Sequence, residues 1–169
     1  MQCAREALVA KSGPQVETVY LTANGRSKAE EIADLSQFNT VDVSDDVMKQ
    51  MSETITPQGI IAICTIPGTQ LDSIALNGSR KFIYLSGVQD PGNAGTILRS
   101  ADAFAMDAVI TSPGSVDMYS PKVVRSTAGS LWHIPVFESV SIDEVLAMGV
   151  NAFSLGAEGS KILSQYQMS

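Results

Sequence analysis

A bend of small and polar residues near the middle of the chain is the stretch best suited to chemistry. It spans residues 90–95, with the sequence D-P-G-N-A-G, and Arg99 follows four residues later. Where a strand delivers its chain into a helix, unbonded backbone N–H groups and the positive end of the helix dipole can receive an anion such as a phosphate. The bend and the arginine are therefore a candidate anion site.

The spacing of this stretch does not by itself select a ligand. It contains neither the G-x-G-x-x-G pattern of dinucleotide-binding turns nor the lysine of a phosphate-binding loop. On spacing alone, a tight turn followed by one solvated arginine is the simpler interpretation.

A strand and a helix position the bend. The strand is predicted from Phe82 to Val88 and the helix from about Ala94, where turn residues give way to helix formers. At about 100° per residue, five apolar side chains share one helix face and Arg99 points away from it. The face predicted to be buried consists of Ile97, Leu98, Ala101, Phe104 and Ala105.

Composition narrows the class of protein. A chain of 169 residues with 44% apolar content can bury a core. It has no apolar run long enough to span a membrane, and its N-terminus does not resemble a signal peptide, so we predict a cytoplasmic protein with no membrane partner. The single histidine, His133, argues against a zinc site or a histidine triad, and we predict no metal. Cys3 and Cys64 are predicted to be reduced thiols.

The net charge of -7 argues against a general nucleic-acid binder. Any RNA contact must depend on a local basic patch. Five basic residues lie between positions 80 and 125, and they mark where such a patch is expected: Arg80, Lys81, Arg99, Lys122 and Arg125.

The first 66 residues alternate helix and strand. In order, the expected elements are helix 1–12, strand 16–22, a turn at Asn24-Gly25, helix 28–35, strand 40–43, helix 45–53 and strand 59–66. Ser27 and Ser44 are the predicted caps of the second and third helices. The continuous apolar run at 59–66 predicts a strand covered on both faces.

Helices and strands also alternate after a polar stretch at 68–79, which is typical of a linker. The expected elements after the bend are strand 108–111, a helix opened by Pro121, strand 135–137, helix 143–148 capped by Ser141, and strand 151–155. This alternation predicts an α/β fold with a parallel sheet.

Three stretches resemble a known family. Residues 87–104 (G-V-Q-D-P-G-N-A-G-T-I-L-R-S-A-D-A-F) closely resemble the first motif of the SpoU-type (TrmH-like) RNA ribose methyltransferases, which belong to the SPOUT superfamily. Residues 119–136 (Y-S-P-K-V-V-R-S-T-A-G-S-L-W-H-I-P-V) and 56–62 (T-P-Q-G-I-I-A) also resemble the family.

The resemblance implies a domain organisation. Residues 1–67 resemble a small α/β substrate-recognition domain, incomplete at its N-terminus, and 80–169 a parallel-sheet SPOUT methyltransferase domain lacking its C-terminal knotted part. The two later motifs of the family, which form the knot and bind S-adenosylmethionine, are expected beyond Ser169. The G-A-E-G at 156–159 is interpreted as the connection that precedes them. An exposed sheet edge, poor solubility and marginal stability are therefore expected.

The resemblance also implies an activity. Family members transfer a methyl group from S-adenosylmethionine to a ribose 2′-hydroxyl of rRNA or tRNA, and the full-length enzymes are expected to be homodimers. It assigns Asn93 and Arg99 to the catalytic centre. The residues that it assigns to RNA binding are Gly95, Lys122, Arg125 and Ser126.

In the family, the residue at Arg99 is described as taking the hydroxyl proton. A guanidinium holds its proton throughout the physiological range, which makes it a poor base in water. We therefore assign Arg99 to anchoring the neighbouring phosphate and stabilising developing charge, with the role of base left open. Asn93 can orient the ribose or cap the helix.

Two other functions fit the sequence. One is a catalytically inactive remnant of such an enzyme that still binds RNA or a protein partner. The other is an unrelated doubly wound protein that binds a mononucleotide and needs no further chain.

Overall fold

Two three-stranded sheets flanked by helices make up the structure, a computed structural model that describes residues 1–68, 71 and 80–155. The helices are α1 Gln2–Val9, α2 Ala23–Glu30, α3 Asp45–Met51, α4 Pro91–Ala103, α5 Pro121–Ser126 and α6 Ile142–Ala147. The strands are β1 Gln15–Leu21, β2 Thr40–Asp42, β3 Ile60–Thr65, β4 Phe82–Leu85, β5 Ala108–Thr111 and β6 Val136–Phe137. Short 3₁₀ turns lie at Leu35–Gln37 and Ser130–Trp132.

The second sheet is parallel, as predicted. Its order is β4-β5-β6, with Phe82 opposite Ala108 and Val109 opposite Val136. All four residues of the central strand β5 are buried, as expected of a strand covered on both faces. The mixed α/β fold predicted from the sequence is confirmed.

The first sheet is mixed. Its order is β2-β1-β3, with β2 parallel and β3 antiparallel to β1. The prediction that residues 59–66 form a strand covered on both faces is wrong, because no residue of β3 is fully buried. Ile63 remains 45% exposed and Ile66 54% exposed.

The start of α2 differs from the prediction. Asn24 and Gly25 were expected in a turn and Ser27 at the cap, but the helix already begins at Ala23 and its cap is Thr22, whose Oγ1 accepts the Gly25 N–H at 3.1 Å. Gly25 is needed for packing, since a Cβ there would overlap the carbonyl oxygen of Gly59. A tertiary contact, and not a turn, explains this glycine.

Other caps agree with the sequence. Ser44 Oγ accepts the Val47 N–H of α3. Ser141 and Glu144 form a complete capping box at α6, and proline occupies the first turn of α5.

Helix α4 begins earlier than predicted, at Pro91, and ends at Ala103. Phe104 therefore follows the helix, and it is 77% exposed, so its predicted place on the buried face is wrong. Ala105, also predicted to be buried, is exposed and has a φ of 50°. The buried residues of α4 are Ala94, Gly95, Leu98 and Ala101.

The strand predicted at 151–155 is not formed. These five residues are exposed and adopt no regular structure. Of the predicted linker at 68–79, only Gly68 and Leu71 are described, and Leu71 packs against the core cluster that contains Val145 of α6. The G-A-E-G at 156–159 lies outside the described residues.

The largest core cluster crosses the predicted domain boundary. Ala7 of α1 is buried in the same cluster as Leu98 of α4 and Trp132. The indole Nε1 of Trp132 donates to the Pro14 carbonyl oxygen at 3.0 Å, and the Ser12 hydroxyl donates to the Trp132 carbonyl oxygen at 3.0 Å. We call this contact between residues 3–16 and residues 124–134 the seam.

The seam contains the chain's only histidine. His133 Nδ1 lies 2.8 Å from Asp102 Oδ2 of α4, and Nε2 lies 3.2 Å from Glu6 Oε2 of α1. Only the doubly protonated ring can donate to both carboxylates. The hydrogen bonds that the ring donates to these two carboxylates raise the pKa of His133, with Asp102 the larger cause.

Stability should depend on pH through His133. Because the folded-state pKa is raised, the contribution of His133 is fully present below its ordinary pKa of 6.5 and is lost as pH rises through the folded-state pKa. We expect His133→Gln to lower the free energy of unfolding at pH 6, with the difference from the unsubstituted chain disappearing in alkaline buffer. Urea unfolding at a series of pH values measures this difference.

Glu6→Gln is the control, because it removes one of the two carboxylates and should retain part of the pH dependence. A difference between the unsubstituted chain and His133→Gln that stays constant across the series would contradict the prediction.

Candidate nucleic-acid interface

The bend at residues 90–95 is built around an N-cap. The Asp90 Oδ1 accepts the backbone N–H of Asn93 at 2.7 Å, and Pro91 occupies the first turn, where no N–H is needed. One orphan donor of α4 is thus already satisfied by the chain itself, and the cap fixes the direction in which α4 leaves the sheet.

Two loops at the carboxyl edge of the parallel sheet are joined beside the bend. The Gly87 N–H donates to Ser112 Oγ at 2.9 Å, and the Val116 N–H donates to the Val88 carbonyl oxygen at 2.8 Å. The loop after β4 is therefore held by the loop after β5. This edge is where open parallel sheets bind their ligands.

A shallow groove of about 300 Å³ follows the exposed side of the bend. Val88 and Ile97 give it apolar walls, while Gln89, Asn93 and Thr96 give it polar groups. Gln89 and Thr96 were not predicted, because neither residue type nor spacing distinguishes them from ordinary surface positions.

Arg99 lies at the surface of α4, as its position in the helical period predicted. Within the described part of the chain, the structure gives its side chain no hydrogen bond or ion pair. At 100° per residue, Arg99 lies about 120° around the helix from Asn93, with Thr96 between them. The two predicted catalytic residues therefore flank a common surface but do not share one face.

The predicted RNA residues of α5 have different surroundings. Lys122 is exposed, and no carboxylate of the described residues pairs with it. Arg125, by contrast, lies 3.5 Å from Glu53 Oε2, in the loop after α3. Gly95 is buried against half-buried Ser126, so these two residues lie between the helices.

Two further titratable groups lie close to this edge. The Glu138 carboxylate accepts the Met118 N–H at 2.8 Å, and burial raises the pKa of Glu138. Burial, with the charges of Glu138 and Asp117, raises the pKa of Tyr119 to about 12. The phenol of Tyr119 is therefore protonated at neutral pH and is not a base.

A second groove, of about 460 Å³, lies around Arg26 of α2 and Thr40 of β2. The Arg26 guanidinium is already paired with Asp42 at 2.7 Å and lies near Thr40. It therefore has fewer free N–H donors for a ligand than Arg99 has. In residues 1–68, 71 and 80–155, no cluster of three or more metal-binding side chains occurs and no helix is long and apolar enough to cross a membrane.

Comparison with protein families assigns the chain to a known group. Residues 80–166, about half of the chain, match the SpoU rRNA Methylase family. The chain belongs to the SpoU rRNA methylase family. Residues 5–70 match the family described as RNA 2′-O ribose methyltransferase substrate binding. The resemblance found in the sequence is confirmed.

Curated relatives of this SpoU chain are rRNA methyltransferases. The 23S rRNA (guanosine(2553)-2′-O)-methyltransferase RlmP of Bacillus subtilis is 40% identical over 114 residues, which cover 66% of this chain and 44% of the relative. Mitochondrial rRNA methyltransferase 3A of Danio rerio is 34% identical over 149 residues, covering 83% of this chain and 33% of the relative. The chain thus spans less than half the length of these relatives.

Solved structures of SpoU proteins share the fold. The AdoMet-bound rRNA methyltransferase of Sinorhizobium meliloti matches with a TM-score of 0.72 and 24% identity, over 88% of this chain and 56% of that chain. A putative RNA methyltransferase of the TrmH family from Porphyromonas gingivalis matches with a TM-score of 0.69 and 27% identity, over 88% of this chain and 55% of that chain.

The Asp90 cap should contribute measurably to stability. We expect Asp90→Ala to lower the free energy of unfolding by about 1 kcal/mol, because the Asn93 N–H loses its partner. Urea denaturation measures the change. Asp90→Asn is the matched control, since its amide oxygen can still accept that bond. Equal losses in the two variants would show that the cap is not the cause.

Proposed function

We propose that the chain takes part in methylating a ribose 2′-hydroxyl of RNA, with S-adenosylmethionine as the methyl donor. The observation that carries the proposal is the position of Arg99. It is exposed and unpaired among the described residues, beside a groove that Asn93 lines at the carboxyl edge of a parallel sheet. The names of the curated relatives support rRNA as the substrate class.

In this proposal, α4 holds the RNA side of the reaction. The groove beside Asn93 receives the nucleotide, with its amide hydrogen-bonding the ribose and the apolar walls of Val88 and Ile97 contacting the base. Arg99 binds the adjacent phosphate and stabilises the negative charge that develops on the hydroxyl oxygen as its proton leaves. With S-adenosylmethionine bound, that oxygen would take the methyl group as the bond between the methyl carbon and the sulfonium sulfur breaks. Lys122 extends the phosphate contact onto α5.

S-adenosylmethionine supplies the methyl group when it is bound. The groove beside Asn93 is shallow, and its side chains provide polar groups for the nucleotide. They do not form an enclosed pocket for an adenosyl group. We therefore assign no residue of this chain to the cofactor, and the general base for the hydroxyl proton is also unassigned.

We also propose a homodimer and a cytoplasmic location, as the family resemblance implies. Exposed apolar side chains around α6 support an assembly that covers them. They are Ile142, Leu146, Phe153 and Leu155.

The alternative is a catalytically inactive remnant that binds RNA or a protein partner. This alternative retains the RNA surface of α4 and α5 but does not require turnover.

Removing Arg99 tests the proposal. The full chain is incubated with rRNA and radiolabelled S-adenosylmethionine, and label in 2′-O-methylnucleosides is counted. We expect Arg99→Ala to reduce incorporation about 100-fold, because a preorganised charge at the reacting centre is lost. Arg99→Lys should retain part of the rate, since it keeps a charge but not the bidentate geometry.

Lys11→Ala is the matched control, because it removes an exposed cation from another part of the molecule. Equal incorporation by Arg99→Ala and the unsubstituted chain would remove Arg99 from the site. RNA binding that weakens with salt, without any incorporation, would favour the remnant.

A further inference from the structure

We infer that Gly95 and Ser126 are a positioning pair, whose contact sets the distance between the RNA-facing cations of α4 and α5. The inference rests on the proposed function, because those cations matter only if the chain binds RNA. The family resemblance places both residues among the RNA contacts, whereas the structure surrounds them with protein atoms.

Gly95 brings the two helices unusually close. A Cβ at this position would overlap Ser126 Oγ and would lie 2.6 Å from Ser126 Cβ and 2.7 Å from its carbonyl carbon. The helices would have to separate by on the order of 1 Å before such a Cβ reached ordinary van der Waals distance. Only glycine therefore permits the present spacing.

The hydroxyl of Ser126 is used inside this contact. Its Oγ lies 2.8 Å from the Pro91 carbonyl oxygen and 2.7 Å from the Val123 carbonyl oxygen. A hydroxyl has one proton, and both of these partners are acceptors, so the proton points into the helix pair. The Ser126 hydroxyl is thus directed at protein carbonyl groups, while the close contact of the helices depends on the Gly95 position and the Ser126 Cβ.

Arg99 and Lys122, which have no partner among the described residues, each lie one helical turn from this contact. Arg99 follows Gly95 by four residues on α4, and Lys122 precedes Ser126 by four residues on α5. Residues four apart share a helix face, at about 6 Å. Any change in the approach of the helices therefore changes the separation of Arg99 and Lys122, and with it the spacing of the phosphates that both can hold.

Enlarging Gly95 and then reducing Ser126 tests whether their contact sets the spacing of the two helices. Binding of a fluorescein-labelled RNA hairpin to the full chain is followed by anisotropy at several salt concentrations. We expect Gly95→Ala to weaken binding about tenfold and to reduce the salt slope by about one phosphate contact. Adding Ser126→Gly should recover part of the loss, because it removes the Oγ and Cβ that the new methyl group meets.

Ser126→Ala separates positioning from direct contact with RNA. It keeps the Cβ of the contact and removes only the hydroxyl, so affinity should stay within about threefold of the unsubstituted chain. Gly68→Ala is the control for the glycine substitution, since a Cβ there has nothing within 4 Å. Circular dichroism checks that each variant is folded.

A tenfold loss in Ser126→Ala, or a double variant that is no better than Gly95→Ala alone, would overturn the inference and make these residues RNA ligands. If Gly95→Ala does not fold, Ser126→Thr replaces it, because the added methyl group also lies in the contact and should weaken binding. If the unsubstituted chain binds no RNA, the proposed function itself fails.

Discussion

The packing of Trp132 across the seam is the constraint on which the rest of the structure depends. Its indole N–H is bonded to Pro14, and its ring shares a buried cluster with Ala7 and Leu98. A buried indole N–H left without its acceptor would cost the desolvation free energy of that group. This one bond therefore favours a single docking of the N-terminal segment. Gly13 and Gly129 permit the approach, since a Cβ at either position would strike Trp132 or Glu6. The seam also explains why two sheets that share no strand form one core.

The seam and the helix pair together shape the charge of the surface. The chain is strongly acidic, and RNA would be repelled from most of it. Near α4 and α5, however, the carboxylates of Glu6 and Asp102 face His133, and that of Glu53 faces Arg125. These three carboxylates each have a basic partner, whereas Arg99 and Lys122 have none among the described residues. The proposed RNA surface is therefore compatible with an acidic chain because the carboxylates near it are paired, whatever the net charge.

The parts of the fold that could be predicted are those set by local pattern. The bounds of β5, the caps Ser44 and Ser141 and the proline that opens α5 follow from residues adjacent in sequence. The errors arose where a distant contact decides the structure. Gly25 has the sequence of a turn residue but packs against Gly59, and residues 151–155 have the pattern of a strand but adopt no regular structure. Pattern alone carries no information on such partners.

The same limit applies to the candidate site. Helical periodicity placed Arg99 at the surface, because that property depends only on the position of the apolar face of α4. It could not show that Arg125 meets Glu53, since these residues are 72 positions apart in the sequence. Nor could it show that Gly95 lies against Ser126. A motif records which residues occur together, but whether each touches the ligand or holds its neighbours in place is decided by how the helices cross. In this molecule the crossing of α4 and α5 buries Gly95 against half-buried Ser126 and leaves Arg99 and Lys122 exposed. On this difference we propose a positioning role for the first pair and a binding role for the second.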